Sequence, residues 1–263
     1  MFLRYLYQLS HRRRTQRSDR HLGYALAFVA GGVNAGGFLA IGQYTSHMTG
    51  IVSSMADHLA LGEFAPALAA LAAWLAFVAG AATTAVLINL ARRWHLRSQF
   101  ALSLLVEASL LLLFGIAGAY LAEMRDFLAP VTVLLLCFIM GLQNAIITKV
   151  SGAVIRTTHV TGLSTDLGIE LGKLFYFNRR DVPRLAVWAN RDKLALHGLL
   201  VLYFFSGGVT GALGFKHIGY SATVIASAAL VLLAFGPILE DIQVRWKVHV
   251  RKSARKSRPY SNQ

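Results

Sequence analysis

The chain has 263 residues, 56% hydrophobic and 14% charged, with a formal net charge of +14. So apolar a composition excludes an ordinary soluble domain, and basic residues blocked between apolar runs, rather than spread over one polar face, exclude nucleic acid as a partner. The single cysteine, Cys137, lies inside the apolar run VLLLCFIM, which excludes a disulfide framework and a cysteine-based metal site.

Residues 1–20 form a basic tail with six Lys and Arg, among them Arg12, Arg13, Arg14, Arg17 and Arg20. A similar basic-then-apolar pattern recurs in mid-chain, where no signal peptidase acts, so the tail is read as retained rather than as a cleaved leader. Crossing a bilayer core takes about 20 residues of helix. Spans are predicted at 22–42, 67–90, 100–121, 129–148, 194–214 and 218–238. Barrel strands would alternate polar and apolar, and these runs do not.

Positive loops stay on the cytoplasmic side. Residues 1–20, 91–99, 173–193 and 245–263 carry 22 of the 26 Lys and Arg. The connections 61–66, 122–128 and 215–217 hold only Arg125 and Lys216, beside Glu63, Glu123 and Asp126. Every second loop is basic, which predicts an even number of crossings with both ends cytoplasmic. The basic tails, 1–20 and 241–263, can also attract anionic lipid headgroups.

Two apolar stretches, Leu22 to Leu61 and Val131 to Phe177, are about twice as long as one crossing, so each must hold something shorter as well. Both carry the same polar interruption. GGVNAGGFLAIGQYTSHMTG aligns with GLQNAIITKVSGAVIRTTHVTG, matching Asn34 with Asn144, Thr45-Ser46-His47 with Thr157-Thr158-His159, and Thr49-Gly50 with Thr161-Gly162. Residues 74–84 align with 202–212, and 103–115 with 221–236. The expected architecture is an all-α membrane bundle of about six spans, arranged as two three-span repeats, 21–121 and 129–240. Three is odd, so the repeats enter the membrane from opposite sides, as in many secondary transporters.

TSHMTG and TTHVTG put hydroxyls, an imidazole and a glycine into apolar surroundings. Thr and Ser favour helix N-caps and Gly tolerates a break, so each motif is expected to open a half-helix, at about 50–60 and 162–176. A half-helix N-terminus offers N–H groups and partial positive charge to an anionic or polar ligand. His47 and His159 are candidate ligand or proton-relay groups, or partners in interhelical hydrogen bonds. Without cysteine or HExxH spacing no metal or other cofactor is expected. Glu107, inside the third span, is the candidate for proton coupling, together with the two histidines. Asp166 lies seven residues after His159, on the same helical face. Lys149 and Arg156 flank the second motif and serve either an anionic solute or topology.

On the residues VAGGVNAGGFLAIGQYTSHMTG and GLQNAIITKVSGAVIRTTHVTGLSTDLGIELGKL the chain resembles the YoaK-like family of uncharacterised bacterial inner-membrane proteins, over roughly 20–240. It departs at Ile51, where the family usually has Asn. The resemblance implies a multi-pass protein of the bacterial inner membrane and supplies no substrate.

The expected function is transport of a small polar or anionic solute, with a site formed by Asn34, Thr45, His47, Thr49, Asn144, Thr158, His159, Thr161 and Asp166. An intramembrane His/Asp enzyme acting on lipid, or a membrane scaffold, are the alternatives. The enzyme reading lacks an activated Ser or Cys with an evident base.

Overall fold

The structure, a computed structural model, describes residues 16–94, 96, 99–120, 125–178, 186–235 and 238. Most of the basic tails and parts of the basic loops, including Arg97, Arg179, Arg180 and Arg184, lie outside the described residues, and the loop-charge argument rests partly on them.

The described residues are helical, with no strand among them. In chain order they form α1 (Gln16–Ile41), α2 (Met48–Ala60), α3 (Phe64–Arg93), α4 (Ala101–Ala119), α5 (Arg125–Val150), α6 (Val160–Phe175) and α7 (Arg191–Ile218). A short 3-10 turn, Gly219–Ser221, then leads into α8 (222–235). Among the described residues, five stretches are long and apolar enough to cross a membrane: they lie in α1, α3, α4, α5 and the 45-residue run Arg191–Phe235. Backbone groups in lipid must pair within their own segment, so such runs can only be helices. Large apolar side chains face outward along them, among them Leu68, Leu75 and Val86 on α3 and Leu202, Phe205 and Val209 on α7. The chain is a multi-pass integral membrane protein.

The last run is not straight. Gly219 takes a positive φ of 59°, a conformation that costs glycine nothing. The chain turns there, so a Cβ on Gly214 would lie 3.3 Å from that of Ala222. In one continuous helix those residues would be about 12 Å apart. Farther along α8, the Ser227 hydroxyl donates to the carbonyl of Ala108 at 2.9 Å, tying α8 to α4.

Helices α2 and α6, of 13 and 16 residues, are too short to cross. Each follows a break that begins where a long helix ends in left-handed backbone: Gly42 (φ 73°) stops α1, and Gly152 and Ala153 (φ 61° and 69°) stop α5. The breaks are shorter than expected, because α2 and α6 begin at Met48 and Val160 rather than at about 50 and 162.

The bundle is held by two close helix pairs, α1 on α7 and α3 on α5. In lipid no hydrophobic drive favours helix over lipid contact, so small residues that let backbones touch supply the packing. Gly207 lies against the carbonyl of Phe28 and Gly80 against that of Phe138; Gly31 lies against Phe204 and Gly141 against Phe77. The two sets correspond: Phe28 and Phe138 are 110 positions apart, as are Gly31 and Gly141, while Gly80 and Gly207, and Phe77 and Phe204, are each 127 apart. The contacts therefore align Trp74 with Val201, one residue from the alignment of 74–84 with 202–212. Between strongly apolar helices the sequence pattern is too uniform to set register, whereas glycine contact is not.

The short helices are anchored by matching ties. At the end of α2, His58 Nδ1 lies 2.6 Å from Glu63 Oε2, and Glu63 is the N-cap of α3. At the end of α6, Glu170 accepts from the backbone N–H of Asn190, the N-cap of α7, at 2.7 Å, and from Lys173 Nζ at 2.9 Å. The Lys173 hydrogen bond, and then that of Asn190, hold the Glu170 carboxyl below the ordinary carboxylate range. A depressed carboxyl contributes stability that is present above its unfolded value of about 4.3 and is lost as pH falls through the folded value. The melting midpoint is thus expected to be flat from about pH 7 to 5 on this account and to drop below about pH 4. Glu170→Gln should lower the midpoint at pH 7 and shrink the acid drop; thermal scans across pH check both.

Candidate functional site

Each break is organised by an asparagine on the preceding long helix. Asn34 Oδ1 accepts from the backbone N–H of Ser46 at 3.2 Å and from its hydroxyl at 2.9 Å. Asn144 Oδ1 accepts from the Thr158 hydroxyl at 2.8 Å and, at 3.5 Å, from that of Thr157. Asn144 Nδ2 donates to the carbonyl of Met140 at 2.8 Å, which fixes which end of its amide faces the break.

These bonds overturn one expectation about capping. The hydroxyls do not cap the half-helices, because they donate backward to the asparagines. The N-caps are His47 and His159, with similar backbone angles (φ −89°, ψ 68° and φ −83°, ψ 54°), and neither makes a side-chain capping bond. Each imidazole instead folds over the glycine three residues on. A Cβ on Gly50 would lie 2.6 Å from His47 Nδ1, and one on Gly162 would overlap the His159 ring. Glycine is needed in both motifs for the room it leaves the ring. Gly162→Ala should raise helix propensity by about 0.5–1 kcal/mol yet displace the imidazole; unchanged or raised thermal stability with impaired function is the expected combination.

The two uncapped N-termini open on one cavity of about 670 Å³. Its lining comes as matched positions: Asn34 and Asn144, Tyr44 and Arg156, Ser46 and Thr158, His47 and His159, Thr49 and Thr161, Phe77 and Phe204. No Asp or Glu is among the lining residues, and Arg156 has no ion-pair or hydrogen-bond partner among the described residues. The first N–H groups of a helix have no intrahelical acceptor, and here no side chain supplies one. The cavity therefore offers hydrogen-bond donors from two helix ends, one guanidinium and two imidazoles, and positive potential from the helix ends and the guanidinium.

Of the residues expected in the site, Asn34, His47, Thr49, Asn144, Thr158, His159 and Thr161 line this cavity together. Three others lie elsewhere. Thr45 is fully buried behind it, its hydroxyl without a partner, and Ser46 takes the lining position. Asp166 lines a second, smaller cavity with His197, Arg156 and His159. Glu107 is fully buried between helices and borders neither cavity; the side chain of Gln143 lies beside it, and neither side chain makes a hydrogen bond of good geometry. Sequence reasoning did not pick out Tyr44, Phe77 and Phe204. The two phenylalanines were only nearly findable, since the alignment of 74–84 with 202–212 pairs Phe77 with Phe205, one residue past Phe204. Arg156 was weighed chiefly as a topology signal, and the structure places it in the cavity wall.

A family model described as "Protein of unknown function (DUF1275)" matches residues 22–236. Comparisons with curated proteins and with solved structures returned no match.

Proposed function

Because the chain belongs to the DUF1275 family, whose activity is unknown, the site itself must carry the functional reading, and we propose that the protein is a secondary transporter of a small anionic solute. The observation that carries this is a cavity faced by two uncapped helix N-termini and Arg156, with no carboxylate in its lining. Helix N-termini and a guanidinium bind anions through charge-assisted hydrogen bonds, and a site without acidic groups repels none.

The architecture fits transport. Six crossings require α8, divided from α7 by the turn at Gly219, to run beyond its described residues 222–235, and the corresponding glycine contacts of α1–α7 and α3–α5 are what two inverted three-span repeats would produce. Interrupted helices meeting where two repeats join are a common substrate-site design, with rocking of one repeat against the other giving alternating access. The family resemblance implies a bacterial cell membrane, and the basic loops favour cytoplasmic termini. A nucleophilic enzyme fits less well, since the Ser46 hydroxyl donates to Asn34 rather than to a basic nitrogen.

The test is reconstitution into liposomes and measurement of uptake across a panel of small inorganic and organic anions, with cations and neutral solutes as controls. At least one anion should accumulate above empty liposomes, and Asn144→Ala should cut its rate about tenfold or more, as expected for about 1.4 kcal/mol of lost site organisation. Flux of cations alone, or no flux of any solute, would sink the proposal.

A further inference from the structure

The second cavity, of about 410 Å³, lies between the 151–156 turn, the first turns of α6 and the start of α7. It shares Arg156 and His159 with the central cavity, so one layer of side chains separates the two. Its far wall carries Asp166 and His197, with His197 Nδ1 3.8 Å from Asp166 Oδ2. His197 lines the cavity but is only 7% exposed, and its Nδ1 is buried without a hydrogen-bond partner. An unpartnered buried ring nitrogen is costly unless something polar reaches it.

The feature is confined to one half of the chain. At the offsets that align the two halves, Tyr44 stands for Arg156, Ser54 for Asp166 and Ala70 for His197. Tyr44 stacks on Phe38 with ring centroids 4.6 Å apart, so the equivalent region of the first half is aromatic where the second is charged.

We infer that the cavity bounded by Arg156, His159, Asp166 and His197 is the polar access route between the central anion site and the membrane face at which α6 ends and α7 begins. This deepens the transporter reading and rests on it. Arg156 and His159 form the wall that a solute must pass. Arg156, without a partner among the described residues, favours negative charge at that wall, while Asp166 and His197 lie side by side on the far wall.

Single-cysteine variants test the route without knowledge of the solute. In a Cys137→Ala background, Thr161→Cys reports the central cavity and Thr165→Cys the second one. Each is reacted with membrane-impermeant methanethiosulfonates, one anionic and one cationic, in right-side-out and inside-out vesicles. Both cysteines should react from the same face, and Thr161→Cys should favour the anionic reagent. Arg156→Glu should shift the anionic-to-cationic rate ratio at Thr161→Cys at least about tenfold toward the cation, with Arg156→Gln in between. A Thr161→Cys that reacts only from the face opposite to Thr165→Cys would overturn the route and leave the anion site standing. A preference for the cationic reagent with Arg156 intact would overturn the anion reading itself. If Arg156→Glu does not fold, the Arg156→Gln ratio decides; no shift there overturns the route's selectivity.

Discussion

Gly207→Val or Gly80→Val is expected to abolish recovery of folded protein. A side chain at Gly207 would overlap the carbonyl oxygen of Phe28, and one at Gly80 that of Phe138. Both obstacles are backbone, held in its own helical hydrogen bonds, so no rotamer change makes room. The helices must separate along the two largest contacts in the molecule, α1–α7 and α3–α5. Overpacking alone costs about 1–3 kcal/mol, and lost contact along a whole crossing adds to it, against a total stability of about 5–15 kcal/mol. Gly168 and Gly172 on α6 are the matched controls, since a Cβ at either meets nothing within 4 Å. Alanine at those two positions should be neutral or stabilising by up to about 1 kcal/mol. The check is the monodisperse fraction of detergent-solubilised protein in size-exclusion chromatography, with thermal scans for the alanine variants. A Gly207→Val protein that elutes and melts like the wild type would mean that α1 and α7 do not pack this closely.

The largest functional effect is expected at Arg156. Its guanidinium lines both cavities and has no partner among the described residues, so a bound anion would be its counter-ion. Arg156 is exposed to the cavity, and a hydrogen bond to a charged group contributes about 1.5–3 kcal/mol. Arg156→Gln should therefore lower anion uptake at low substrate concentration by about 10- to 100-fold. Melting should change little, because no hydrogen bond or ion pair among the described residues is lost. Arg156→Lys keeps the charge but not the planar fork of donors, and should fall between the two. At the matching position of the first half, Tyr44→Phe removes only a hydroxyl from a ring that is already stacked on Phe38, and should cost less than about threefold. These variants are compared by initial uptake rates in liposomes, normalised to incorporated protein. Equal rates for Arg156→Gln and the wild type would remove the charge from the site.

Much of the candidate site was legible because the chain states it twice. Asn34 with Asn144, His47 with His159 and Thr49 with Thr161 recur at matching places in two apolar stretches, and polar groups in lipid are retained only where something pairs with them or uses them. Thr45 was misplaced for a geometric reason. In the run Thr45-Ser46-His47 neighbouring side chains point in different directions, and pattern alone does not tell which of two adjacent hydroxyls faces the cavity. Glu107 was chosen for proton coupling because it is an acid in an apolar run, but that criterion carries no information on whether solvent reaches it. The structure leaves it buried apart from both cavities, whereas Asp166 and His197 border open space.

By itself the sequence determined the membrane as solvent, the helical class, the doubling of the polar break and the shortness of the segments that follow it. These depend on local quantities: apolar run length against bilayer thickness, composition, and the recurrence of a motif. Only the tertiary structure decided that the two N-termini share one cavity, that the hydroxyls bond backward to asparagine and leave those helix ends uncapped, and that Arg156 stands between two cavities. Those outcomes depend on the register and closeness of α1 with α7 and of α3 with α5. Helices so uniformly apolar leave their register to a few glycine contacts, which exist only once the backbones have met.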